Sequence, residues 1–301
     1  MNQEIFDVVI LGTGPAGLQA AIHAARAKVS VLVMGRKHKS SLYKAHVENY
    51  CCLSSVSGEE LLQMGVRHAS ESGAQFLLED VIKTSQANDM FIVLTESERS
   101  IKTKTLVLSM GISRNHLGVK GEKKFLGKGV SYCVDCDANF YKGEKVAVIG
   151  SESAAVSGAL TLLFYAEEVH LISEQLKVSD RLDFQIRESG VNLHLGRKVK
   201  EIVGQEKVEG LVMGDGQKLT VSGVFIETGA KGAIELAATL GVELDSEKFR
   251  YINTDKQQRT NIPGIFAAGD ICGPPWQMAK AVGEGCVAGL SAAKYAKKLS
   301  R

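Results

Sequence analysis

The sequence predicts an α/β chain with two nucleotide-binding-type domains, the second inserted into the first. Three observations predict it. Two β-branched apolar runs, residues 6–11 and 145–150, each lead into a glycine. Each is followed by an alanine-rich segment with helical spacing and then a second apolar strand, at 29–34 and 169–172. Strand–helix–strand units of this kind build parallel sheets. Lastly, residues 260–270 read as a turn, a buried strand and a Gly-Asp end, followed by an Ala/Gly-rich helix over about 277–297. That C-terminal piece is assigned back to the first domain. The expected domains are therefore 1–113 with 241–301, and an inserted block at 114–240.

Length and composition permit this. A chain of 301 residues, 45% hydrophobic and 23% charged, can bury two cores. A net charge of +2 does not mark the chain as a nucleic-acid or membrane binder. No stretch approaches the roughly 20 apolar residues that span a bilayer. The start, Met1-Asn2-Gln3-Glu4, lacks the basic and apolar regions of a signal peptide, so the expected compartment is the cytoplasm. Structural disulfides are unusual there. Of the six cysteines, Cys51, Cys52, Cys272 and Cys286 are expected to be buried or half-buried free thiols.

The turn after the first strand carries Gly12, Thr13, Gly14, Pro15, Ala16 and Gly17, a G-x-G-x-x-G pattern between strand and helix. Gly12 suits a tight turn, Gly14 admits a pyrophosphate to the backbone, and Gly17 allows close helix–strand packing. The helix N-terminus offers free N–H groups to the phosphates. No acid ends the second strand, which reads Val33-Met34-Gly35, so this turn alone does not choose between FAD and NAD. Gly269-Asp270 favours FAD, because a carboxylate at a strand end can accept hydrogen bonds from a ribityl chain.

The second feature is the C-x-x-C of Cys133 and Cys136, followed at once by Asp137. Two intervening residues let the sulfurs close a small ring, and such pairs commonly hold one acidified thiol ready for exchange. Asp137 is placed to act as general acid or base if burial raises its pKa. A zinc site needs four ligands, and no second ligand pair follows.

With these motifs the chain resembles the low-molecular-weight thioredoxin reductases over essentially its whole length. The markers are residues 12–17, 47–50, 129–137, 260–270 and 283–286. The resemblance implies two Rossmann-like domains, FAD as cofactor, and a homodimer. It implies that Asn49, Gly269, Asp270 and Gln277 lie close to FAD. Gly35, Gly111, Trp276, Met278 and Ala279 complete the expected cofactor set. It further implies that Cys136 faces the flavin, Cys133 attacks the partner disulfide, and Asp137 protonates the departing thiolate. The implied acceptor is thioredoxin.

The chain departs from that family in its second nucleotide motif. Where the family has G-x-G-x-x-A, residues 150–155 read Gly-Ser-Glu-Ser-Ala-Ala, so Glu152 stands in place of the glycine that admits the pyrophosphate. Its carboxylate adds bulk and like charge. The family's basic signature for a 2′-phosphate is replaced by Ser173, Glu174, Gln175 and Ser179. Three readings follow: no nicotinamide nucleotide binds; NADH binds with Glu174 on its ribose; or Glu152 turns away and NADPH binds weakly. The first is adopted. Loss of these motifs beside a retained C-x-x-C resembles the ferredoxin-dependent flavin thioredoxin reductases, which implies reduced ferredoxin as donor. The alternatives are an NADH- or NADPH-dependent reductase, an oxygen-using flavin dithiol oxidase of small molecules, and a non-enzymatic flavin-bound redox sensor. Two basic patches suit an acidic donor: Arg36, Lys37, Lys39, Lys44, and Lys120, Lys123, Lys124, Lys128. Lys39-Ser40-Ser41 replaces a Gly-Gly-Gln turn, and Trp276, the only tryptophan, either stacks at the flavin edge or packs between domains.

Overall fold

The computed structural model describes residues 5–112, 116–228, 232–245 and 251–300. Strand β1 (Ile5–Leu11) runs into helix α1 (Pro15–Arg26) and β2 (Val31–Met34). A short ladder of β3 (His46–Val47) and β4 (Val56–Ser57) leads to α2 (Gly58–Glu71) and β5 (Gln75–Leu77). Strands β6 (Val81–Ala87), β7 (Met90–Thr95) and β8 (Ser100–Leu108) follow. The next stretch holds β9 (Val130–Ser131), α3 (Val134–Asp137), β10 (Lys145–Ile149), α4 (Ser153–Leu162), β11 (Glu168–Ser173), α5 (Asp180–Arg187) and β12 (Asn192–Leu195). It continues with β13 (Val199–Val203), β14 (Gly210–Met213), β15 (Lys218–Leu219) and β16 (Gly223–Ile226). The chain ends with α6 (Ala233–Ala238), β17 (Ile265–Ala267) and α7 (Met278–Leu299).

The chain divides into two units, residues 1–113 with 232–301, and residues 114–231. In the first, β5-β2-β1-β8 are parallel neighbours. The long β8 serves two partners on its other edge: its first half pairs antiparallel with β7, and Leu106–Leu108 pair parallel with β17. The second unit has an all-parallel sheet, β12-β11-β10-β16-β9, and a separate antiparallel sheet, β13-β14-β15. Both are the nucleotide-binding type of α/β fold, with helices returning the chain between parallel strands.

The sequence reading closed the inserted block at residue 240, but the compact unit closes at 231. The reason lies in α6, where Leu236 and Ala237 are fully buried in the same core as Val9 and Leu106. The Thr84 hydroxyl donates to the Leu236 carbonyl at 2.8 Å, tying the helix to β6. A second correction concerns Cys51 and Cys52. They are exposed, with sulfurs 3.5 Å apart, on a turn between β3 and β4. Cys272 and Cys286 are half-buried, and burial pushes the Cys272 thiol up to about 12.

Small residues explain how α7 reaches the first sheet. Its buried face is Ala281, Gly285, Ala288, Gly289, Ala292, Ala293 and Ala296. A Cβ on Gly285 would lie 2.2 Å from the Ala16 carbonyl oxygen, and one on Gly289 would lie 2.3 Å from that of Ala20. Backbone therefore touches backbone where α7 crosses α1. No described helix is long and apolar enough to cross a membrane. Gly285→Ala should destabilise the protein by about 1–3 kcal/mol, because a packed crossing has no room for a methyl. Gly283→Ala, on the same helix with nothing within 4 Å, should be neutral or slightly stabilising. Urea unfolding of both variants checks the pair.

Candidate functional site

The turn after β1 separates the work of its three glycines. Gly12 has φ +120°, and a Cβ there would lie 2.4 Å from the Ser109 carbonyl oxygen. A Cβ on Gly17 would lie 2.0 Å from the Gly12 carbonyl oxygen. The fold itself demands both. Gly14 differs: as the residue capping α1 it has φ −80° and ψ −178°, which any residue adopts. A Cβ there would meet only the Ser40 hydroxyl, at 3.4 Å. The packing of this chain therefore does not explain that glycine, but a pyrophosphate resting against the backbone does. Pro15 occupies the first helical turn, where no N–H is needed, and the remaining unbonded N–H groups of α1 face the same space. Thr13 is buried, and Gly35, with φ +129°, lies against it.

The C-terminal piece closes on this turn. A Cβ on Gly269 (φ +92°) would lie 3.0 Å from Cβ of Ala16 and 3.7 Å from that of Ala281. Lys280 in the first turn of α7 donates to the carbonyls of Gly269 at 2.8 Å and Gly273 at 2.6 Å. It also pairs with Glu284 at 3.1 Å, and Glu284 accepts the Gly269 N–H at 2.8 Å. Burial raises the Asp270 carboxyl above the ordinary range; Lys280 opposes the shift and Glu284 adds to it. Hydroxyl donors from a ligand would stabilise the charged form at that half-buried position. The Asn49 side chain donates to Gln277 Oε1 at 2.9 Å, joining two expected cofactor residues 228 positions apart. Met278 and Ala279 begin α7, and Trp276 just before it is 57% exposed. Gly111 has φ +70° and nothing within 4 Å of a Cβ. The residues present fit a flavin dinucleotide.

In the second unit Cys133 and Cys136 form a disulfide with their Cα atoms 5.3 Å apart. Cys133 caps α3, its sulfur accepting the Cys136 N–H at 3.1 Å. Cys133 is half-buried and Cys136 exposed. The Ser131 hydroxyl donates to Asp137 Oδ2 at 2.6 Å and accepts the Cys133 N–H at 3.0 Å, so one side chain orients both the pair and the acid. The preceding residue is pinned as well, since Tyr132 donates to the buried Glu122 at 2.6 Å. Burial would raise the Glu122 carboxyl, but hydrogen bonds from Tyr132, Gly118, Leu117 and His116 hold it below the ordinary range.

The crevice beside β10 carries acids. Glu152 caps α4 with φ −114° and ψ −172°, close to the conformation of Gly14 before α1. Glu174 at the end of β11 pairs with Lys198 at 3.0 Å. The Lys177 N–H donates to the Ser151 carbonyl at 2.7 Å, folding the segment after β11 onto the same turn. Ser179 caps α5 by accepting the Leu182 N–H. Glu227, at the end of β16, is buried and accepts the Val134 N–H at 3.0 Å.

In the first of the two basic patches Lys37 is half-buried and Lys44 exposed, but Arg36 and Lys39 are engaged by acids. Arg36 pairs with the buried acids Asp80, at 2.6 Å, and Glu96, and Lys39 pairs with Asp80 at 2.9 Å. In the other, Lys120 pairs with Glu201 at 2.8 Å, while Lys123, Lys124 and Lys128 are exposed. Sequence reasoning missed Ser131, Glu227 and Lys280 as site residues. Only Lys280 had a local signal, its i,i+4 spacing to Glu284 after the Gly-Asp end.

A dinucleotide cradle and a C-x-x-C pair, each on its own α/β unit, define the class of flavin-dependent disulfide oxidoreductases. Residues 6–285 match the family described as pyridine nucleotide-disulphide oxidoreductase, and the chain belongs to it. Its relatives include the thioredoxin reductases of Listeria monocytogenes (33% identity, 99% of this chain and 96% of the relative) and Bacillus subtilis (31%, 99% and 97%). Among solved structures it is similar to the atypical thioredoxin reductase TRi of Desulfovibrio vulgaris Hildenborough. That match has a TM-score of 0.85 and 34% identity, covering 97% of this chain and 98% of the other. It is also similar to a ferredoxin-flavin thioredoxin reductase of Clostridium acetobutylicum, with a TM-score of 0.69, 31% identity and both chains covered at 100%. The chain is a thioredoxin reductase-like flavoprotein disulfide reductase.

Two outcomes follow for the cradle. Gly14→Ala should cost less than about 1 kcal/mol of FAD-free stability yet weaken FAD at least about tenfold, near 1.4 kcal/mol. Gly17→Ala should instead cost about 2–3 kcal/mol. Thermal melts of the FAD-stripped protein and FAD titration separate the two. Asp270→Asn acts in opposite senses. Because the folded-state pKa is raised, the wild-type carboxyl costs stability as pH rises from the ordinary carboxylate value through the folded value, and the cost is full above it. FAD-stripped Asp270→Asn should therefore melt higher than wild type at pH 7 and equally at low pH, while binding FAD more weakly.

Proposed function

We propose that this protein reduces the disulfide of a thioredoxin with electrons from reduced ferredoxin, and that it makes no use of a nicotinamide nucleotide. The observation that carries the donor assignment is Glu152. It occupies, at α4, the backbone position and conformation that Gly14 occupies at α1. A pyrophosphate needs bare backbone at that position, and a glutamate there adds bulk and like charge against the phosphates. An acid at a helix N-terminus is itself favourable, so the substitution suits the protein while obstructing the ligand. Glu174, the residue that would hold an NADH ribose, is engaged by Lys198. Lys123, Lys124 and Lys128 remain exposed as a basic surface suited to an acidic donor.

The cradle around Gly14, Asn49, Asp270 and Gln277 would hold the flavin. Bound there, FAD supplies the capacity to accept electrons singly and deliver them in pairs. The chain's own residues perform the exchange. Reduced Cys133, as thiolate, attacks the thioredoxin disulfide and forms a mixed disulfide. Asp137, oriented by Ser131, gives a proton to the departing thiolate. Cys136 then attacks the Cys133 sulfur, closing the pair and releasing dithiol thioredoxin.

Anaerobic titration of the flavin absorbance with NADPH, NADH and reduced ferredoxin, each alone, tests the donor. Bleaching by ferredoxin only is expected; rapid stoichiometric bleaching by NADPH would sink the proposal. Cys133→Ser should leave flavin reduction intact and abolish thioredoxin turnover. Cys136→Ser should trap thioredoxin on Cys133; capture on Cys136 in the converse variant would reverse the two roles.

A further inference from the structure

Glu227 is a carboxylate in an unexpected place. It follows β16, the neighbour of β10, and its N–H donates to the Ile149 carbonyl at 2.9 Å. A Cβ on Gly150 would lie 2.0 Å from the Glu227 carbonyl oxygen, so the residue borders the β10–α4 turn. In folds of this type a dinucleotide lies in that crevice, beyond the carboxyl ends of the strands. Glu227 is only 7% exposed. Its Oε1 accepts the N–H of Val134, the first residue of α3 and one peptide bond from Cys133. From the other side, Gly158 of α4 brings its missing Cβ position within 3.0 Å of Val134 and 3.8 Å of the Glu227 side chain. The first residue of the redox pair's helix turn is thus clamped between a buried acid and a glycine.

We propose that Glu227 is a positioning residue of the redox pair: it fixes the start of α3 and, by its negative charge, sets the pair's reduction potential. The inference rests on Cys133–Cys136 being the reactive disulfide. Reducing the pair breaks the S–S bond and takes two electrons and two protons from a dithiol such as dithiothreitol, which closes its own disulfide. A carboxylate beside Cys133 opposes the thiolate and so disfavours the reduced form. Among the described residues, the other ionisable groups on the redox helix and its neighbouring turns include Asp135 and Asp137 on α3, Tyr141 on the turn after it, and Glu152 at the start of α4.

Glu227→Gln keeps an oxygen acceptor for the Val134 N–H and removes the charge. The test is a redox titration of the FAD-loaded protein against dithiothreitol buffers, together with iodoacetamide alkylation of the reduced pair from pH 5 to 9. The expected result is a pair more easily reduced than wild type. Alkylation at pH 6 should be at least about threefold faster, as expected of a lowered thiol pKa, with FAD content unchanged. Glu227→Asp, which keeps the charge but shortens the reach to Val134, should leave the alkylation profile closer to wild type than Glu227→Gln does. A wild-type potential and pH profile in Glu227→Gln would overturn the proposal. A wild-type protein whose Cys133–Cys136 pair cannot be reduced would overturn the underlying reading instead.

Discussion

A helix that begins directly after a parallel strand leaves its first N–H groups unbonded and aimed past the strand end. The arrangement of this protein depends on what meets that positive end. At α1 it meets open space lined by backbone, with Gly14 as the cap and Ser40 as the nearest side chain. At α4 the capping position carries an acid, Glu152, in place of a glycine. The same local backbone geometry thus opens on a glycine in one unit and on a carboxylate-bearing residue in the other.

The redox centre is built on the same economy. Its reactive atoms lie on a short helix, which has little intrinsic stability of its own. Side chains from elsewhere hold it: Ser131 from β9 bonds both the Cys133 backbone and Asp137, Glu227 bonds Val134, and Tyr132 is anchored on Glu122. Because these partners are buried or half-buried, each bond is made away from competing water and positions the pair more firmly than a surface contact would.

Much of this was legible in the sequence. The apolar runs ending in glycine became β1 and β10, and the Ala/Gly-rich tail became α7, starting at Met278 within one residue of its expected start. Those signals are local and periodic. The misplaced boundary at α6 had no local signal, since Leu236 is buried by tertiary contacts with β6 and β8. The Arg36–Asp80–Glu96 cluster joins residues up to 60 positions apart, so a basic run in the sequence looked like a free surface. Cys51 and Cys52 look apolar in composition, but a turn sets their exposure.

The positions of the second glycine motif meet different physical constraints. Gly150 is retained, and a Cβ there would meet the Glu227 carbonyl oxygen at 2.0 Å and Cβ of Ala155 at 2.7 Å. The small residue Ala155 is retained for the same crossing and is fully buried. These two positions answer to packing. The middle position has an extended backbone that tolerates any side chain, and answers only to what lies in the crevice. That position holds a carboxylate, Glu152. A unit under pressure merely to stay folded would leave that position free to take any side chain. A pyrophosphate resting against the backbone favours glycine at such a position, as at Gly14 in the first unit. A second acid bordering the same turn, Glu227, is tied to the redox helix through the Val134 N–H, so this crevice contributes to holding the Cys133–Cys136 pair in place.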